Sequence, residues 1–208
     1  MGSTQFRGLK ITHIVHDCFR FNNSKTVYID PFRLSGGEEK ADVIFATHDH
    51  YDHLSIEDIK KIVKDSTIIV APLNAKEKLS VFSNVVLLKE GESKTIDALK
   101  VKALPAYNIN KKFHPKGFGL GYIIDFAGVK VYHAGDTDEI PEMQKIQCDV
   151  ALLPVSGTYV MTATEAALAA QKISAKLFIP MHYGSIVGSR EDAETFKQRC
   201  QKEVRILL

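Results

Sequence analysis

The chain has 208 residues, 45% hydrophobic and 25% charged, the composition of a soluble globular protein with room for one sizeable core. Its net charge of +2 sets up no global field that would mark a nucleic acid or a membrane surface as a partner, no apolar run approaches the roughly 20 residues of a membrane span, and MGSTQFRGLK lacks the apolar stretch of a signal sequence. Three cysteines, Cys18, Cys148 and Cys200, form no CxxC and read as small core residues in a reducing, cytoplasmic compartment.

Strands are expected at 9–15, 18–21 and 25–30, joined by turn residues such as FNNSK. ADVIFAT (41–47) is a continuous apolar run, the pattern of a buried strand. SIEDIKKIV (55–63) has helical periodicity, with Ser55 as N-cap and Asp58 three residues on. STIIVAP (66–72) reads as a strand and LNAKEKL (73–79) as a short helix. Residues 85–106 and 120–136 read mostly as strands, with a hairpin turn at DFAG, 125–128. A strand at 148–154 leads to the clearest helix, 162–174, opened by the capping box of Thr162 and Glu165. A strand at 175–181, a helix at 189–200 and a closing strand at 204–208 complete the chain, which reads as one unit over 1–208. One faint internal echo is present: TVYID and KVYHAGD each run a strand into an aspartate.

The chemistry concentrates in THDHYDH, 47–53, which holds three of the eight histidines and two aspartates. It follows the buried strand 41–47 and precedes a capped helix, and strand-end loops are where α/β folds place ligands. Imidazole and carboxylate suit borderline divalent metals such as zinc, iron or manganese. Two pairs of such groups on one loop suit two neighbouring ions.

The pattern HxHxDH at His48, His50, Asp52 and His53 resembles the signature of the metallo-β-lactamase superfamily. TVYIDPF resembles that family's early strand ending in Asp-Pro, VYHAGDTD the strand that supplies a bridging aspartate, and KLFIPMHYG the late strand that delivers a last metal histidine. The chain is most similar to the stand-alone metal-dependent hydrolases that resemble ascorbate-6-phosphate lactonases. The resemblance implies an α/β fold, a four-layer αββα sandwich of two mixed sheets with helices outside. It implies two divalent metal ions, zinc foremost, with manganese or iron as alternatives. His48 and His50 would bind the first ion, Asp52, His53 and His182 the second, and Asp136 would bridge them. Such a carboxylate offsets the repulsion of two dications. The expected reaction is hydrolysis of an ester, lactone or phosphoester by hydroxide held between the metals, with Asp52 orienting that nucleophile.

The third ligand of the first metal is where the chain departs from the family. A histidine is typical at the end of VKALPAYN, and this chain has Asn108. An amide oxygen is a poor zinc ligand. The next histidine, His114 in NINKKFHPKG, is open between ligand, substrate contact and bystander. Asn108, Lys111 and Lys112 stand as substrate-contact candidates, and the lysines, with Lys116, suggest a small anionic substrate. Asp30 before Pro31 is a candidate to fix the tautomer of a ligand histidine; His16 in VHDCF and His133 are expected beside the ligands. His13, alternating within a strand, reads as packing.

VSGTY is no GxSxG elbow, GESKT lacks the first glycine of a phosphate loop, and GFGLG runs into a strand instead of a helix. Competing readings are a phosphodiesterase or nuclease of the same fold and a metal-binding module without turnover. The expected partner is a small molecule, with no nucleic acid or membrane and an open place for a homo-oligomer.

Overall fold

The computed structural model describes residues 1–208. The first seven strands lie side by side in chain order as one sheet: β1 (Gly2–Phe6), β2 (Leu9–Val15), β3 (Cys18–Asn22), β4 (Thr26–Ile29), β5 (Val43–Phe45), β6 (Ile68–Pro72) and β7 (Val85–Leu88). The second seven do the same in a second sheet: β8 (Ser93–Ile96), β9 (Leu99–Ala106), β10 (Gly119–Phe126), β11 (Val129–His133), β12 (Val150–Pro154), β13 (Leu177–Met181) and β14 (Glu203–Val204). Within each sheet the first four strands pair antiparallel and the rest parallel. The two halves are thus topological copies: TVYID contains β4 and KVYHAGD all of β11 but its first residue, the fourth strand of each.

The parallel strands need crossovers, and these carry the helices. After β5 comes α1 (Ile56–Ile62), after β12 comes α2 (Ala163–Lys172), and after β13 comes α3 (Arg190–Arg199). Ser55 caps α1 by accepting from Asp58 N, and Thr162 and Glu165 cap α2 reciprocally. Facing residues of the two sheets form the main core, where Phe21 stacks on Phe126 at 5.1 Å and Phe45 meets Tyr122 at 5.2 Å. The same cluster runs through to α2 and α3, with Ala166, Ala170 and Phe196 buried. A second cluster, including Tyr28, Ile44, Ile59 and Ile62, seals α1 onto the outer face of the first sheet. The layers are therefore helix, sheet, sheet, helix, the expected αββα sandwich. Full burial of each large side chain stabilises by about 1.5–3 kcal/mol, so layers this apolar cannot separate. No helix is long and apolar enough to cross a membrane.

One strand is added to the expected elements and two expectations are corrected. β1 was not anticipated: GSTQF alternates only between half-buried and exposed, and its pairing partner β2 creates it. LNAKEKL forms only a 3-10 turn, Leu73–Ala75, because so short a segment does not offset the cost of nucleating a helix. The closing strand is limited to Glu203–Val204 at the sheet edge, with Arg205 N still donating to Phe178 O at 3.0 Å. The DFAG turn is as expected, with Ala127 and Gly128 both at positive φ between β10 and β11.

Candidate metal centre

The loop 47–53 leaves the end of β5 and is held by both sheets. Tyr122 Oη donates to Ala46 O at 2.9 Å from β10, and Leu120 N donates to Thr47 O at 2.8 Å. Across the edge, Gly135 turns the chain after β11 at φ +64, where an added Cβ would lie 3.0 Å from Leu120 O and 3.1 Å from Thr47 Cβ. Only glycine fits there without strain, and the turn delivers Asp136.

His48 Nε2, His50 Nδ1 and His114 Nε2 converge. His50 Nδ1 is 3.0 Å from His48 Nε2 and 3.3 Å from His114 Nε2. A second cluster joins His53 and His182 to Asp136. Asp136 Oδ2 lies between the two clusters: 3.4 Å from His114 Nε2, 3.5 Å from His53 Nε2 and 3.2 Å from His182 Nε2. Its other oxygen, Oδ1, is buried without a partner, as is His53 Nε2.

The outward nitrogens of His48, His53, His114 and His182 are engaged. His53 Nδ1 donates to Asp30 Oδ2 at 2.7 Å, and His48 Nδ1 faces Thr47 Oγ1 at 3.1 Å. Thr47 Oγ1 donates in turn to Asp30 Oδ2, and Thr47 N to Asp30 Oδ1, both at 2.7 Å. One carboxylate therefore orients a histidine of each cluster, His53 directly and His48 through Thr47. His182 Nδ1 meets Ser156 Oγ at 2.9 Å. His114 Nδ1 meets Asn108 Oδ1 and Tyr159 O, each at 3.2 Å. With their Nδ1 atoms occupied, His48, His53, His114 and His182 turn unshared Nε2 pairs inward. Buried nitrogens aimed at one another, beside a carboxylate with an orphaned oxygen, fit divalent cations and little else.

The electrostatics agree. Burial pushes His53 down, but Asp136 and Asp30 outweigh it and hold its pKa well above the ordinary histidine value. Burial lifts Asp136, yet His182 and His53 bring it well below the usual carboxylate range. Burial and the neighbouring His53 push His48 well down, leaving it neutral, and burial also lowers His114. The pocket thus sets carboxylates beside two imidazoles that burial keeps neutral, His48 and His114, and draws positive charge onto His53, between Asp136 and Asp30. His16, Asp30 and His182 all sit at positive φ, a backbone strain that only surrounding structure sustains.

Asp52 lines the cavity, with Oδ2 3.4 Å from His16 Nε2 and 3.8 Å from His53 Nε2. His16 is fully buried, neither ring nitrogen is hydrogen-bonded, and its ring lies 4.1 Å from that of His182. His133 stands behind the site: Nε2 donates to Asp17 O at 3.0 Å and Nδ1 accepts from Gly135 N at 3.2 Å. It pins the β2–β3 turn to the turn that carries Asp136. Lys111 is tied to Asp138 and Lys116 to Glu142, and neither they nor Lys112 line the cavity. Asn108 does not line it either.

Sequence reasoning missed three groups. Asp17, directly after His16, is fully buried with both oxygens unpartnered and lies 4.0 Å from His53 Nδ1. Burial, then Asp136, lifts its pKa well above the usual value. Asp138 accepts from Asn108 Nδ2 and Ile109 N and so shapes the 108–114 loop; only its place two residues after Asp136 hinted at it. Tyr159, whose carbonyl helps aim His114, carries no signal in sequence.

A family model described as the beta-lactamase superfamily domain matches residues 10–182. A metal-dependent hydrolase of Thermoplasma acidophilum is 35% identical, with 91% of this chain and 89% of that protein covered. One of Methanoculleus marisnigri is 31% identical over 95% of this chain and 91% of its own length. Among solved structures, a candidate metal-dependent hydrolase of Parabacteroides distasonis superposes with a TM-score of 0.87 at 35% identity, covering 100% of this chain and 98% of that one. A metallo hydrolase from Ignicoccus hospitalis superposes at 0.78 with 25% identity, covering 95% and 94%.

Proposed function

The chain belongs to the beta-lactamase superfamily and is a metal-dependent hydrolase, and from that premise we propose that it cleaves a small ester, lactone or phosphoester at a centre for two divalent ions, zinc foremost. The observation that carries this reading is the position of Asp136 Oδ2 between His114 on one side and His53 and His182 on the other. His48, His50 and His114 would hold one ion, His53, His182 and Asp52 the other, and Asp136 would join the two. Ions bound there would acidify a water and polarise the scissile carbonyl or phosphoryl oxygen.

The chain's own groups divide the remaining tasks. By accepting from Nδ1–H, Asp30 and Thr47 would orient His53 and His48 with Nε2 facing the ions, whose binding would displace any proton there. Asp52, only partly buried at the cavity wall, accepts a proton from the attacking water. His16 Nε2, 3.4 Å from that carboxylate and otherwise unengaged, would hold it in position. General acid–base transfer of this kind contributes about 10²–10⁴-fold. The buried rear wall, with His13, His133 and Asp17 all inaccessible, excludes water from behind.

The test is elemental analysis of protein purified without chelator and reconstituted with zinc or manganese, followed by a screen of lactone, thioester and phosphodiester substrates. Two ions per chain and turnover of at least one class are expected. Saturation below half an ion per chain, or no turnover by the fully loaded protein, overturns the proposal.

A further inference from the structure

The mouth of the same cavity is apolar. Of the eight large hydrophobic side chains that remain exposed in the molecule, three line this one cavity: Tyr51, Phe113 and Tyr159, at 66%, 55% and 39% exposure. A fourth, Ile109, lies in the same 108–114 loop as Phe113. Phe113 and Tyr159 pack with tilted rings 4.2 Å apart, and Tyr51 sits edge-on to Phe32 at 6.0 Å. Ile186 and Val187, in the segment after His182, complete the apolar part of the wall. Clustered exposed apolar side chains beside a site with convergent polar groups are a feature of binding surfaces.

Cations are missing from the same wall. No lysine or arginine lines the cavity. Lys111 is neutralised by Asp138 and Lys116 by Glu142, while Arg33 is turned onto Ser185 Oγ and the face of Phe32. An anionic arm on the substrate would lose its hydration here and meet no lysine or arginine, with Asp52 and Asp136 in the same wall. An aromatic or alkyl arm would exchange exposed rings for contact. The cavity, about 460 Å³, is within the range of small-ligand pockets.

Resting on the metal-hydrolase reading above, we infer that the substrate's non-reacting arm is uncharged and apolar, aromatic or alkyl, and that Tyr51, Phe113 and Tyr159 form its subsite. This inference replaces the anionic arm suggested by the lysines of the 108–116 segment. The lysines are adjacent in sequence to His114 but are folded away from the cavity.

The experiment uses three hydroxamic acids with one metal-binding head and different arms: acetohydroxamic acid, benzohydroxamic acid and the monohydroxamic acid of succinate. Calorimetric titration of the zinc-loaded protein should show benzohydroxamate binding about tenfold or more tighter than acetohydroxamate. The succinate compound should bind no tighter than acetohydroxamate. Tyr51→Ala and Phe113→Ala should each shrink the benzo-to-aceto affinity ratio by about threefold, the range expected for losing one aromatic contact. The ratio stays informative even if a variant alters the affinity of the head itself. Equal binding of the three, or preference for the succinate arm, overturns the inference and leaves the metal reading standing. Failure of all three to bind overturns both.

Discussion

Asn108 Oδ1 lies 3.1 Å from the backbone nitrogen of His114 and 3.2 Å from its Nδ1. The asparagine thus folds the loop back and aims the imidazole, while its own amide donates to Asp138 and Tyr159 O. It stands where the family resemblance implies a histidine, and here it orients the candidate ligand His114, six residues later. His114→Ala is expected to lower saturating metal content from two ions toward one. Asn108→Ala should keep two sites but weaken the first by about 10–100-fold, the usual effect of losing a partner that orients a ligand. Competitive metal titration of both variants is the check, and unchanged stoichiometry in His114→Ala would remove it from the ligand set.

Asp136→Ala removes the carboxylate between the clusters. The residue is at a strand-end turn, so the fold should persist, with an unchanged far-ultraviolet circular dichroism spectrum. Two cations facing each other without this charge should no longer be held together, and hydrolysis should fall by about 10² or more. Metal analysis and rate measurement on the same preparation decide it. Retention of both ions at the native rate would refute the bridging role.

Asp30 joins the two halves of the centre through His53 and Thr47. Thr47→Val removes the hydroxyl and leaves the Asp30–His53 contact in place. It should weaken chiefly the ion bound by His48, within about a factor of 10. Asp30→Ala should weaken both ions, by about 10–100-fold, and lower thermal stability because three buried donors lose their acceptor. Site-resolved titration with a spectroscopically visible ion such as cobalt would separate the two effects. Equal weakening of both ions by Thr47→Val would contradict the two-branch arrangement.

His13 is a buried histidine away from the ligands, stacked on Phe19 at 4.3 Å, with Nε2 donating to His16 O at 2.7 Å. Burial brings its pKa down to about 3, so it is neutral in the fold and charges readily when unfolded. A depressed histidine binds its proton preferentially in the unfolded state. Its contribution is therefore complete above about pH 6.5 and is lost as pH falls toward 3. His13→Gln, measured metal-free, should show a stability slope shallower by about 1.4 kcal/mol per pH unit between pH 4 and 6. Denaturant melts at several pH values test this, and parallel slopes in the two proteins would count against it.

The sequence by itself determined the alternation of strands and helices, the caps at Ser55 and Thr162, the DFAG turn, and the grouping of HDHYDH at the end of a buried strand. These are local properties: hydrophobic period, capping chemistry and turn residues act over a few positions. The echo between TVYID and KVYHAGD was legible too, but only the sheet order showed it to be the fourth strand of two matching halves. Tertiary structure alone decided which groups meet. It placed His114 beside His50, 64 positions away, and turned Lys111 onto Asp138 instead of the cavity. It buried Asp17 unpartnered behind His53 and gathered Tyr51, Phe113 and Tyr159 at one mouth. Such outcomes depend on how two sheets stack and how a loop closes against a distant turn. Neighbours in a chain carry little information about the direction in which a side chain points once the backbone around it has folded back.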